Sequence, residues 1–400
     1  MKHRSSSAIL KTALKISPVV LLGGARQVGK STLSGSLFDN YAILDDVDLR
    51  INATENPKGF LNSIGRPVCI DEIQKVPNLL ESIKLVVDKD RTNGSYLLTG
   101  SANLLDMKKT KDTLAGRIIE LTLYPLSAKE INDKPNENII DQLFAKDFTL
   151  SQVETDTITN HIINGGYPEL LRLENELEKR LWFSSYISTY IERDARDLGD
   201  IREINNFFKF INVIAPRSGT LLNKSKIANS ASLKANTVDN FITILSLLYQ
   251  IELIKPYSEN IGKRFVKAPK LHMLDSGILC HLLHINDKQA LNNSHYKGQI
   301  FETFIFCELR KHLSYSPENT DLFHYRTSDN KEIDFILSRG DKLLAIEVKA
   351  SNSVNKQDFK QILDFQNRTK KDVTGIVFYM GEHLLEIDSQ NFAVPFGMLF

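Results

Sequence analysis

Short apolar runs recur through the first third of the chain, at residues 18–22, 41–44, 67–70, 95–98 and 118–123, with helically spaced stretches between them. Continuous apolar runs of this length predict strands buried on both faces, and their alternation with helices predicts a parallel sheet. Ser127 and Glu130 stand at capping-box spacing and predict a helix start. The polar stretch 132–138 reads as a connection. From 150 to 290 the pattern turns mainly helical. Trp182, Tyr186, Ile187, Tyr190 and Ile191 form an apolar stripe. Residues 225–231 and 236–248 predict a helix–turn–helix, followed by a β run at 250–255. Gly277, beside the apolar stretch 279–283, is expected on the buried side of a short element. Beyond 295 the order is a helix (300–313), three β-type runs (322–326, 333–338, 343–349), a helix (356–367) and a strand (375–379). The chain thus reads as α/β, with a parallel-sheet unit at 1–132, a helical unit at 150–290 and a second, smaller α/β unit at 295–400. It carries no internal repeat or low-complexity tract.

Composition narrows the functional classes. A chain of 400 residues exceeds one compact domain, and 25% charged with 42% hydrophobic residues is ordinary for a soluble globular protein. The formal net charge of +1 removes any argument from a global polycation, so nucleic-acid contact would need a local basic patch. Cys69, Cys280 and Cys307 lie far apart and form no CxxC pair. That pattern suggests neither a disulfide framework nor a cysteine zinc site, and it fits a reducing cytoplasm. The N-terminal residues resemble a signal peptide, basic and then apolar. However, the run at 19–22 is short and leads straight into a glycine-rich loop, so it is read as a buried strand. No stretch approaches the roughly 20 apolar residues that cross a bilayer, and no membrane partner is expected.

Gly24-Ala25-Arg26-Gln27-Val28-Gly29-Lys30-Ser31 fits GxxxxGK[ST], between a β run and a helical stretch that begins with Ser31 and Thr32. Glycines at 24 and 29 let the backbone wrap a phosphate chain without Cβ clashes. Successive N–H groups and a helix N-terminus then face the anion. Lys30 is expected to reach the β- and γ-phosphates, and the Ser31 hydroxyl to ligate Mg²⁺. ATP with Mg²⁺ is the expected ligand pair; no guanine-reading motif is apparent. Residues 68–70 form an apolar strand ending in Asp71-Glu72, and ligands gather at strand C-termini in parallel sheets. Asp71 would hold Mg²⁺ through water, and Glu72 would polarise the attacking water, giving hydrolysis and not binding alone. Thr99 or Ser101, ending the next strand, would sense the γ-phosphate, unless that segment is a plain strand-end turn. Arg117 would stabilise transferred-phosphate charge in cis or from a neighbouring subunit of a homo-oligomer, unless it is simply solvated.

In the helical unit, Lys234, Asn236, Thr237 and Asn240 fall near the start of the second helix of the helix–turn–helix. These residue types suit phosphate and base-edge contacts. Lys263, Arg264, Lys267 and Lys270 add local positive charge, while Asp239 opposes it. The alternative is the same winged-helix fold used for packing or protein contacts. In the C-terminal unit, Glu302 lies on a predicted helix, Asp334 on a strand, and Glu347 and Lys349 two apart on the next strand, hence on one face. If the strands form a hairpin, Asp334 joins them. The carboxylates would then bind Mg²⁺ and Lys349 would orient a water for phosphodiester cleavage. The alternative is a cross-strand ion pair on an open sheet face.

The segments GGARQVGKST, VCIDEIQKVP, LLTGSAN, LAGRIIELTLYPLSAKE, GGYPELL, ERDARDLGDI, NKSKIANSASLKANTVDNFITIL, KRFVKAPKLHMLDSGIL, GQIFETFIFCELRK, KEIDFIL and AIEVKAS together span nearly the whole chain. Through them the chain resembles the bacterial and archaeal AAA-type P-loop ATPases whose C-terminal half is a domain of unknown function. The resemblance implies an ATPase domain, a winged helix and a fold similar to PD-(D/E)xK nucleases. By position it places Lys30, Ser31, Asp71 and Glu72 at the nucleotide and Glu302, Asp334, Glu347 and Lys349 at the nuclease-like site. His272 and Met273 stand where that family has aromatic residues, a departure expected to concern packing.

Overall fold

Each of the five N-terminal apolar runs becomes a strand: β1 (Val19–Gly23), β2 (Tyr41–Ile43), β3 (Val68–Asp71), β4 (Tyr96–Gly100) and β5 (Ile118–Thr122). They pair in the order β2-β3-β4-β1-β5, all parallel. Side chains alternate between faces along a strand. Val20, Leu22, Cys69 and Leu97 therefore enter one apolar cluster and Val19, Leu21, Ile70 and Leu98 another, on opposite sides of the sheet. The computed structural model describes residues 2–101, 114–198, 204–259 and 268–400. Ser127 and Glu130 make the expected reciprocal capping box at the helix Ala128–Ile131.

The stripe around Trp182 falls on an α-helix, Glu176–Ser185, that runs into a π-helical turn, Tyr186–Ile191. Helices Lys224–Ala231 and Ala235–Leu247 form the predicted pair, and helix Ile204–Ile214 packs against both. Beside them lie β6 (Thr220–Leu221), β7 (Ile251–Ile254) and β8 (Lys270–Met273), antiparallel in the order β6-β8-β7. The run at 250–255 is β7; its partner β8 was not marked by the sequence pattern. Gly277 sits in the helix Ser276–Leu282, where an added Cβ would lie 2.4 Å from the Asn164 carbonyl oxygen.

The C-terminal unit is built on β9 (Asp321–Arg326), β10 (Glu332–Arg339), β11 (Lys342–Val348), β12 (Asp372–Tyr379), β13 (Leu385–Asp388) and β14 (Asn391–Pro395), paired as β13-β14-β12-β11-β10-β9. Strands β10 and β11 form the expected hairpin, with Phe335 opposite Ile346. β11, β12 and β14 run parallel to one another. The helix Lys297–Ser314 carries Glu302. One apolar cluster runs through all three units, from Leu10 and Leu22 through Phe210 and Phe241 to Phe301 and Phe400. The units therefore share a core.

Candidate functional site

The loop 24–31 leaves β1 at its C-terminal end and closes on the helix Lys30–Gly35. Gly24 has φ +146° and Gly29 φ +97°, and Gln27 also takes a left-handed conformation at φ 61°. A Cβ on Gly24 would lie 2.2 Å from the Leu123 carbonyl oxygen, so both backbone angle and space require glycine. Gly24→Ala is expected to cost about 2 kcal/mol or more of stability; urea denaturation of the full chain checks it, and a change under about 0.5 kcal/mol would contradict this reading of the loop. Ala25 and Val28 are buried and contribute backbone only, while Ser31 and Thr32 are exposed. The Lys30 ammonium, 6% exposed, donates to the carbonyl oxygens of Gly24 and Ala25, both at 2.8 Å.

Asp71 is the hub of the site. It ends β3, two strands from the loop, and the intervening β4 brings Thr99 between them: Leu22 pairs with Thr99, and Ile70 with Leu98. Ser31 Oγ donates to Asp71 Oδ2 at 2.8 Å, Tyr41 OH to the same oxygen at 2.9 Å, and Thr99 Oγ1 to Oδ1. Burial, then the neighbouring Cys69 and Asp71, push the Tyr41 phenol well up, so it remains a donor. Glu72 follows in a left-handed conformation at φ 59° and pairs with Arg26 at 3.7 Å. Gln74 links Glu72 to Ser101, donating to both. Thr99 thus positions Asp71, and Ser101 connects to Glu72 through Gln74.

Arg117 requires a correction. It immediately precedes β5, whose Ile118 pairs with Val19 at the start of β1, whereas the loop leaves after Gly23, opposite Thr122. At about 3.3 Å per strand residue it lies roughly 15 Å or more from the loop, and its guanidinium is bound to Asp88. It does not serve this chain's own loop.

Sequence reasoning also missed several groups. Arg4 braces the loop from behind, donating to the Val28 carbonyl at 2.7 Å and the Tyr124 carbonyl at 2.6 Å, and it pairs with Glu130 at 3.1 Å. Tyr249 reaches β1: a Cβ on Gly23 would lie 2.3 Å from its hydroxyl. Tyr186 OH donates to the Arg26 carbonyl at 3.4 Å and stacks on Trp182. No local pattern marks these residues, because each meets its partners through tertiary packing, Arg4 across 24 to 126 residues of chain and Tyr186 across 160. The loop opens into a cleft of about 620 Å³ bounded by Lys30, Ser31, Thr32, Glu72, Arg4 and the turn Pro168–Arg172 of the helical unit.

The C-terminal residues converge, but round an unexpected centre. Lys270, expected as surface charge, is the first residue of β8 and 1% exposed. Its ammonium lies 2.7 Å from Glu302 Oε1, 2.9 Å from Glu332 Oε1 and 3.5 Å from Asp334 Oδ1. Lys263, Arg264 and Lys267 lie outside the described residues. Asp334 Oδ2 accepts from the Val348 N–H at 2.9 Å, and Lys349 pairs with Glu347 at 2.9 Å, on one face as the spacing required. Among the described residues no group of three His, Cys, Asp or Glu side chains is arranged to hold a metal. At the cluster where Mg²⁺ was expected through Glu302, Asp334 and Glu347, an ammonium from another unit stands beside Glu302 and Asp334. His272 is fully buried and stacks on Phe306 at 4.4 Å, a packing role as expected.

Burial, then the neighbouring Asp334, push the carboxyls of Glu302 and Glu347 up from 4.5 to about 8. A carboxyl raised in the folded state contributes stability that is full below its unfolded pKa and is lost as pH rises through the folded one. These two carboxyls are therefore expected to contribute a fall in stability between pH 4.5 and about 8, while His161, His272, His312 and His324, lowered by burial, contribute a rise up to 6.5. Glu302→Gln, which mimics the neutral form, should flatten the profile. Denaturation midpoints of wild type and Glu302→Gln across that range test it, and two parallel profiles would contradict it.

Comparison with known proteins adds the following. Residues 17–132 match the family model of an AAA domain, residues 155–289 that of a domain of unknown function (DUF8612), and residues 297–399 that of another (DUF4143). The AAA match supports an AAA-type P-loop ATPase unit at the N-terminal end. An uncharacterized protein of Mycobacterium tuberculosis is 26% identical over 400 residues, covering 99% of this chain and 84% of the relative. One of Haemophilus influenzae is 25% identical over 385 residues, covering 88% of each chain. Another, of Methanocaldococcus jannaschii, is 26% identical over 293 residues, covering 72% of this chain and 62% of the relative. Among solved structures, the Signal Transduction ATPase with Numerous Domains protein PH0952 of Pyrococcus horikoshii aligns at 12% identity with a TM-score of 0.29, covering 79% of this chain and 47% of that one. No helix among the described residues is long and apolar enough to cross a membrane.

Proposed function

We propose that this chain is a Mg²⁺-dependent ATPase whose nucleotide turnover is coupled to DNA binding by the helical unit. The observation that carries the reading is a chain of groups leading in from the cleft: Lys30 and Ser31 line it, and the buried Asp71 carboxylate lies 2.8 Å behind the Ser31 hydroxyl and is held by Thr99. A hydroxyl beside a carboxylate is an oxygen donor pair suited to a hard divalent cation, so Ser31 and Asp71 fit Mg²⁺. When bound, that ion neutralises charge on the phosphate oxygens. Lys30 exchanges its two carbonyl partners for phosphate oxygens. Thr99 and Tyr41 hold Asp71 in place, and Glu72 orients the attacking water once Arg26 turns to the phosphates.

The coupling rests on two supports. Helix, β6, two helices, β7 and β8, with sheet order β6-β8-β7, is the chain order of a winged helix. Its second paired helix exposes Lys234, Asn236 and Asn240 at its start, with Thr237 half-buried. The same unit touches the phosphate loop through Tyr186 and the end of β1 through Tyr249. Phosphate release measured with and without duplex DNA tests the coupling. Stimulation of several-fold that fades with added salt is expected, and indifference to DNA would leave the ATPase but remove the coupling.

A nucleotide-dependent switch that binds a protein partner is the second reading. Two cations are withdrawn from the DNA-facing side: Lys224 pairs with Asp239 at 2.6 Å, and Lys270 is buried. Indifference to DNA in the same assay favours this reading.

A further inference from the structure

The Lys270 side chain crosses between units. β8 belongs to the helical unit, whereas Glu302 stands on the helix Lys297–Ser314, and Glu332 and Asp334 on β10. Two of the three contacts, 2.7 and 2.9 Å, are ammonium–carboxylate hydrogen-bond lengths, and the third is 3.5 Å. A divalent ion of the Mg²⁺ or Ca²⁺ type would need oxygens at about 2.0–2.6 Å. The surroundings leave little room for rearrangement. A Cβ on Gly219, which carries φ +79°, would lie 3.2 Å from both Glu302 carboxylate oxygens. His272, two residues along β8, is fully buried with its Nε2 3.7 Å from Glu302 Oε1. Arg326 holds the other Glu332 oxygen at 2.9 Å.

We propose that the Lys270 ammonium is the resident cation of this carboxylate cluster, and that the C-terminal unit is a docking module that clamps β8 and has no divalent-metal role. The fold that resembles a metal nuclease has its acidic face turned inward onto its neighbour's lysine. Withdrawing the ammonium would leave three partly buried carboxyl groups without a counter-charge, which makes the contact a lock between units.

The test is Mn²⁺ binding to the nucleotide-free full chain, followed by the paramagnetic signal of free Mn²⁺. Wild type and Glu302→Gln should take up the same amount. Lys270→Met should gain one site, about tenfold or more tighter than any in wild type, because three carboxylates then lack a cation. The double variant Lys270→Met/Glu302→Gln should lose it again. A wild-type site that Glu302→Gln abolishes would overturn the proposal, as would a folded Lys270→Met that gains nothing. Should Lys270→Met fail to fold, the comparison of wild type with Glu302→Gln decides alone. Because no nucleotide is present, the outcome is independent of the ATPase reading.

Discussion

Lys30→Ala will fold and will lose ATP hydrolysis by about 10²–10³-fold, the usual scale for deleting one preorganised donor to a developing phosphate charge. The Lys30 side chain, 6% exposed, contacts the Gly24 and Ala25 carbonyls at the wall of the cleft. Water can replace it there, so the stability change should stay near 1 kcal/mol. The catalytic loss is larger because the other cations lining the cleft are engaged elsewhere: Lys2 with Asp133, Arg172 with Glu169, Arg26 with Glu72, and the Arg4 guanidinium with backbone carbonyls and Glu130. Phosphate release at saturating ATP, with circular dichroism to establish folding, measures both. Turnover equal to wild type in a folded variant would remove the site assignment.

Lys270→Met will destabilise the chain by about 3–5 kcal/mol near pH 8, the range for removing one partner of a buried ion cluster. Methionine fills the volume of the alkyl stem but leaves Glu302, Glu332 and Asp334 facing one another without the cation. The loss should shrink toward pH 5, where the carboxyls of Glu302 and Glu347, whose pKa values burial has raised to about 8, carry protons in both variant and wild type. Urea denaturation at the two pH values reads the effect directly. A variant within about 0.5 kcal/mol of wild type near pH 8 would show that the three contacts carry no net stability.

The arrangement of the proposed nucleotide site was readable because its parts are local. Gly24, Gly29, Lys30 and Ser31 lie on one loop, and Asp71 is marked by the end of an apolar strand. A parallel sheet brings strand ends together, so the pairing of Ser31 with Asp71 followed from a pattern of runs. The β10–β11 hairpin and the shared face of Glu347 and Lys349 were legible for the same reason: strand periodicity fixes which side chains are neighbours.

What the sequence could not convey is which charge faces which across units. Arg117 and Lys270 both read as free cations, since an isolated basic residue looks the same whether it meets water or a carboxylate. Parallel register placed the first at the far end of the sheet, and the closing of β8 against β10 buried the second among acids. Tyr249 shares that character, meeting β1 from the helical unit, whereas Arg4 and Gln74 meet partners brought to them within the parallel-sheet unit. Backbone periodicity is short-ranged and written in consecutive residues, so the chain alone determined most of its strands, its glycine-rich loop and the hydroxyl proposed to bind metal. Electrostatic partnership depends on distance in space, and only the packed units decided it.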